Sequence, residues 1–285
     1  MRRFVTVALL FVACSVLFVA PTHFPIYARF NGNGEGRNYS DEIRKSYNFL
    51  FGKDNFSLPG NAATQNNEFI QPGAFPRAEY CGHCHEEAYS QWRQALHSNS
   101  FRTPFYRTSV NILIRTKGIE FSRHCDSCHN PIAVVSGALT TDAHVDRSFD
   151  QDGLTCMTCH SIQALRSTSG NGGYVMGVPA VMVDENGKRI PGEVDFGDII
   201  EHPERHAKAV MQPFYRTPEF CAACHKANLP APLNDYKFIR AFTTYDEWQN
   251  SKFSQRNPLT FYKADFVRCQ DCHMHRSATV LHDYG

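Results

Sequence analysis

Charge of one sign is what this sequence lacks most: 29 Lys and Arg against 28 Asp and Glu leave a net charge of +1 over 285 residues. That balance gives no electrostatic case for nucleic acid or a strongly acidic partner, and no nucleic acid is expected among its partners. Hydrophobic residues are also in modest supply, at 42% with a mean hydropathy of −0.40. For one or two domains of this length such a core is thin, so something besides side chains is expected to fill the interior. Cysteine outside a single spacing is almost missing. Ten of the eleven fall into copies of Cys-x-x-Cys-His: Cys81/Cys84/His85, Cys125/Cys128/His129, Cys156/Cys159/His160, Cys221/Cys224/His225 and Cys269/Cys272/His273.

Those residue types at that spacing point to covalent attachment of haem. Two thiols add across the two vinyl groups, and the adjacent histidine ligates the iron from one face. The motifs therefore imply five covalently bound haem c groups, with His85, His129, His160, His225 and His273 as proximal iron ligands. Other readings fit worse. A zinc ribbon explains paired cysteines but not a histidine after every pair, and five pairs do not divide into four-cysteine sites. A redox dithiol normally occurs once, and a disulfide framework has no reason to repeat a histidine.

The eleventh cysteine, Cys14, lies in an apolar run over residues 4–20 that follows Arg2 and Arg3. A charged start and an apolar stretch direct export, which covalent haem attachment normally accompanies, so the haem domain is expected in the periplasm. Two readings stay open for residues 1–28, a cleaved signal peptide or an N-terminal membrane anchor. The run is at the short limit for a span. Phe18-Val19-Ala20 is a poor cleavage site and Ile26-Tyr27-Ala28 a better one, while a lipobox at Val12-Ala13-Cys14 is opposed by the apolar residues after it. An uncleaved anchor formed by residues 4–20 is the preferred reading.

Residues 29–76 are rich in Gly and Asn and read as a linker, a tether or surface wrap with one short helix near 41–51. The haem domain is then 77–285. Its motifs are separated by 39, 26, 60 and 43 residues, room for helices and loops but for no extensive sheet. The fold class expected is mainly α with long loops, organised around packed haems. A small β-hairpin is expected within 178–190, on the turn Asn186-Gly187, and reads as a surface loop with no role at a site.

The two tryptophans sit in a weak repeat: Tyr89-Ser-Gln-Trp92 to His97-Ser98 aligns with Tyr245-Asp-Glu-Trp248 to Phe253-Ser254. Phe253 stands where His97 stands. Packing on one helix face would also place a Tyr and a Trp three apart. If residues 85–97 are largely helical, twelve steps of about 1.5 Å put His97 about 18 Å from His85. Two imidazoles on one iron must each approach it to about 2 Å. His97 therefore serves a haem other than the one His85 holds.

With Trp92 and His97 at fixed spacing after the first motif, and with Gly153-Leu-Thr-Cys156-Met-Thr-Cys159-His160 and Phe220-Cys221-Ala-Ala-Cys224-His225, residues 77–230 resemble the tetrahaem cytochrome c family that takes electrons from hydroxylamine oxidoreductase in nitrifying bacteria. The resemblance implies that His97 is the distal ligand of the haem on Cys156 and Cys159. The fifth motif, Cys269-Gln-Asp-Cys272-His273-Met274-His275, departs from that pattern and is similar to terminal haem segments of larger multihaem cytochromes.

Nine histidines remain after the proximal five. His23 adjoins the targeting segment and His83 lies inside a Cys-x-x-Cys loop. The other seven are candidate distal ligands: His97 first, then His206 on a helix starting after Pro203, then His124, His275, His282, His144 and His202. Electron relay between redox protein partners is the leading reading, because closely packed, mostly bis-histidine haems leave no substrate site. The rivals are an oxidoreductase for a small nitrogen or sulfur oxyanion at one five-coordinate haem, and a membrane quinol dehydrogenase. No motif is Cys-x-x-Cys-Lys and no separate catalytic constellation is visible, which favours the relay. Oligomeric state has no signature in the sequence.

Overall fold

The computed structural model describes residues 35–234, 238–255 and 265–274. Among them the chain is mainly helical, with thirteen α-helices and seven short strands. The longest helix, Pro104–Lys117, has 14 residues, and no helix among the described residues is long and apolar enough to cross a membrane. Residues 4–20 and the choice between signal peptide and anchor lie outside the described residues.

The helices are short because the sequence punctuates them. Pro104, Pro131, Pro203 and Pro218 each open a helix, where the missing N–H has no partner to lose. Gly118 and Gly153 follow helices with φ of 110° and 60°, a backbone that side chains with a Cβ rarely adopt.

The segment expected to be a linker is corrected by the core it helps to build. Helix Glu35–Ser46 begins earlier than expected, and the residues after it turn inward. Phe56 and Ala62 are fully buried, and Phe69, Ile70 and Ala74 nearly so, in one cluster with Val134, Met157, Tyr174, Met176 and Val181. Tyr39 Oη donates to Ser136 O at 2.7 Å and Tyr47 Oη to Phe56 O at 2.8 Å. The Gly and Asn content that suggested a tether dilutes a few aromatics that carry most of the segment's apolar area.

The sheets are small. Tyr174–Met176 pairs in parallel with Ala63–Thr64 and antiparallel with Ile162–Leu165. Ala227–Pro230 pairs antiparallel with Phe238–Phe242. The expected hairpin is present as Ala180–Val183 against Arg189–Pro191. Its turn is held by the Asp184 carboxylate, which accepts from the N–H groups of Asn186 at 2.9 Å and Lys188 at 2.8 Å, while Gly187 takes φ +79°. It is no idle loop. Strand Ala180–Val183 is buried along its whole length and packs against helix Pro203–Val210.

Candidate functional site

Each Cys-x-x-Cys-His motif occupies one helical turn, with helices at Ala78–Gly82, Arg123–His129, Cys156–His160, Pro218–Ala222 and Cys269–His273. In a turn of this kind residues i, i+3 and i+4 share a face, so two thiols and an imidazole converge. The N–H of His85 bonds to Cys81 O at 3.0 Å, and that of His225 to Cys221 O at 2.8 Å, closing the turn across the motif. The third motif starts on a reciprocal cap between Thr155 and Thr158. At the fifth, Arg268 and Asp271 pair at the helix start.

Two of the proximal imidazoles are oriented from behind by the backbone. His129 Nδ1 donates to Ser100 O at 2.8 Å and His160 Nδ1 to Val210 O at 2.6 Å. A carbonyl only accepts, so these contacts place the proton on Nδ1 and leave Nε2 with its lone pair available to a metal. Partial burial pushes the pKa of His129 and His160 down, which favours the neutral ring that a metal needs, whereas His97 and His225 are exposed.

Two pairs of imidazoles face each other across a gap. The rings of His85 and His206 lie 6.2 Å apart between centroids with planes at 21°, and those of His97 and His225 lie 5.9 Å apart at 67°. Two metal–nitrogen bonds of about 2.0–2.1 Å, with roughly 1.1 Å more from each nitrogen to its ring centre, give about 6.3 Å for two imidazoles on one metal. Both gaps therefore fit an iron between them. His206 Nδ1 donates to Val181 O at 2.6 Å, so the hairpin fixes this histidine as Ser100 and Val210 fix the proximal ones.

The helical path drawn from His85 to His97 is corrected. Helix Glu86–Gln94 stops at Ala95, whose extended backbone (φ −79°, ψ 154°) leads into a single 3₁₀ turn carrying His97. The ring of His97 stands opposite that of His225 of the fourth motif and not opposite His85. The implied pairing with the third motif, His160, is thereby replaced. His206 stands opposite His85 of the first motif, although it is near the fourth in sequence.

The remaining candidates are placed differently. His124 is buried with its ring against the backbone of Pro59 and Asn228, and its Nδ1 has no hydrogen-bond partner. His144 is exposed, and His202 precedes helix Pro203–Val210 with its Nδ1 3.7 Å from Glu204. None of these three stands opposite a motif imidazole among the described residues. His275 and His282 lie outside the described residues. Sequence reasoning missed the aromatic backing of two sites. Tyr106 stacks on His129 at 3.8 Å and 9°, its hydroxyl bonded to buried Asp126, and Tyr215 meets His160 edge-on at 5.5 Å.

Thiols of different motifs also meet. The free thiol of Cys81 lies within hydrogen-bonding reach of Cys156, that of Cys128 of Cys224 and that of Cys221 of Cys269. Cys159 lies within electrostatic reach of both Cys221 and Cys224, and burial pushes its thiol up to about 12. These contacts bring attachment thiols of all five motifs next to a thiol of another motif.

The ten attachment thiols are not equally buried, and Cys84 is one of the two that stand apart. This second thiol of the first motif is exposed, as is Cys272 of the fifth, whereas the other eight attachment cysteines are partly buried. The physical reason lies in the turn itself. Cys81, at its inner end, is taken up by Cys156, and Cys84 falls three residues on, where the chain passes into the largely exposed helix Glu86–Gln94. The contact of the first motif with another motif is made through Cys81.

Repeated one-turn attachment motifs with imidazoles oriented by backbone carbonyls define a multihaem cytochrome c. Residues 80–161, which hold the first three motifs, match the family described as Cytochrome c554 and c-prime. A penta-heme cytochrome c552 from Thermochromatium tepidum is similar over 73% of this chain and 56% of that one, at 17% identity and a TM-score of 0.44. This chain thus spans little more than half of that protein's length. No curated protein matches the chain.

Proposed function

We propose that the chain is an exported cytochrome with five haems that relays electrons between redox protein partners. The observation that carries this reading is the contact between motifs, thiol against thiol, which sets attachment sites side by side. When bound, haem iron supplies a one-electron couple at each site. His206 and His97 stand opposite His85 and His225, and the carbonyl bond behind His206, like those behind His129 and His160, would hold its ring in place in either oxidation state. His275 and His282 are the remaining candidates for other sites, and residues 1–28 direct the domain out of the cytoplasm.

The test is threefold. Intact mass of the exported protein should show five haem additions, potentiometry should show reversible reduction in several steps, and spectra should be mainly low-spin. Turnover of nitrite, hydroxylamine and sulfite should be negligible. Stoichiometric binding of cyanide or nitric oxide followed by rapid turnover of one of those substrates would overturn the relay in favour of an enzyme.

A further inference from the structure

The weak tryptophan repeat is the trace of a duplicated two-haem unit. In the first copy, helix Glu86–Gln94 follows the first motif; in the second, helix Thr244–Asn250 follows the fourth. Tyr89 hydrogen-bonds Glu79, two residues before Cys81, and Tyr245 pairs with Glu219 at 2.9 Å, two residues before Cys221. Trp92 Nε1 donates to Leu154 O at 2.7 Å and Trp248 Nε1 to Val267 O at 2.8 Å, each carbonyl two residues before the next motif of its unit. Ser98 Oγ donates back to Arg93 O at 3.0 Å, and Ser254 Oγ to Gln249 O at 2.6 Å. Leu154 N–H bonds to His97 O and Val267 N–H to Phe253 O, both at 3.0 Å. Cys81 with Cys156 and Cys221 with Cys269 complete the correspondence.

Positions 97 and 253 are therefore the same position in two copies. In the first copy it looks out of its unit at the leading haem site of the second, His97 against His225. Carried one step further, position 253 looks toward the place that the leading haem site of a further unit would take. No motif imidazole stands opposite Phe253 among the described residues. Phe253 is 41% exposed, beside Phe266 at 46%, which packs on Trp248.

We propose that this face docks the haem of a separate redox protein, with apolar contact in place of the imidazole bond. The proposal rests on the haem reading above. Phenylalanine cannot ligate, so the visiting haem keeps its own ligands and can leave, as exchange of electrons between proteins requires.

The probe is microperoxidase, the haem peptide cut from a monohaem cytochrome c, which carries one Cys-x-x-Cys-His haem. The haem-loaded protein is dialysed to equilibrium against it in excess imidazole, which fills its open position. One saturable site is expected, weakened at least about tenfold by Phe253→Asp and unaffected by Phe105→Asp, at an apolar residue 86% exposed on another helix. Without imidazole, Phe253→His should bind one more low-spin microperoxidase per molecule than wild type does. Equal binding by wild type and Phe253→Asp, no saturable site, or no added site in Phe253→His would overturn the proposal. So would a concentration-dependent dimer in sedimentation that Phe253→Asp abolishes, which assigns the face to a second copy. Haem content and spin state of each variant are recorded alongside: if these stay as in wild type, docking alone has failed and the relay stands.

Discussion

A histidine binds iron only through a nitrogen that carries no proton, and at His129, His160 and His206 a single carbonyl oxygen decides which nitrogen that is. Removal of a facing ring should be visible one site at a time. His206→Ala should turn the first haem high-spin and His97→Ala the fourth, read by electron paramagnetic resonance, with the other sites unchanged. A change at the third haem in His97→Ala would contradict the ring pairing seen here. Trp92→Phe removes a hydrogen bond to Leu154 O and should lower stability by about 1 kcal/mol in thermal unfolding, with haem content preserved. A continuous helix from His85 to His97 underlay the expectation that the two serve different haems, and the structure breaks that helix at Ala95, although the His97 ring still faces away from His85 toward His225. No local signal marks an extended residue at Ala95. Nor does the motif itself tell an enclosed thiol from an open one: Cys84 and Cys224 hold the same place in it, yet the first is exposed and the second meets Cys128.

Elements matter here for what they hold in place. The hairpin Ala180–Val183/Arg189–Pro191 was legible from Asn186-Gly187, yet its use was not, because the contact between Val181 O and His206 joins residues 25 apart. Gly187→Val forces a branched side chain into φ +79°, at a cost of about 1–2 kcal/mol. Voltammetry of that variant should show a shifted potential at the first haem while the fourth keeps its own. The stretch between helix Glu35–Ser46 and the first motif was misread for a compositional reason: Gly and Asn outnumber the few aromatics that bury it. Phe56→Ala should cost about 3–5 kcal/mol, since the side chain is fully buried. A tether would lose nothing, so an unchanged melting temperature would restore the linker.

At the scale of the whole molecule, the mainly helical class and the kind of cofactor were legible because covalent attachment demands a fixed local pattern. The mutual arrangement of the motifs was not, since gaps of 26 to 60 residues leave their pairing free. The thiol contacts resolve it: first with third, second with fourth, fourth with fifth, and third near fourth. Reduction of one site should therefore shift the spectra and potentials of those neighbours most, a pattern that potentiometry of selectively perturbed variants can map.

Drawn as a graph, those contacts form a tree whose fourth node has three edges. Deleting the second or fifth node leaves everything else connected. Deleting the fourth strands the second and the fifth singly and isolates the first and third as a pair. Traffic between any two of those branches passes through one vertex, so both the vulnerability of the circuit and the choice of exit are concentrated where His97 meets His225.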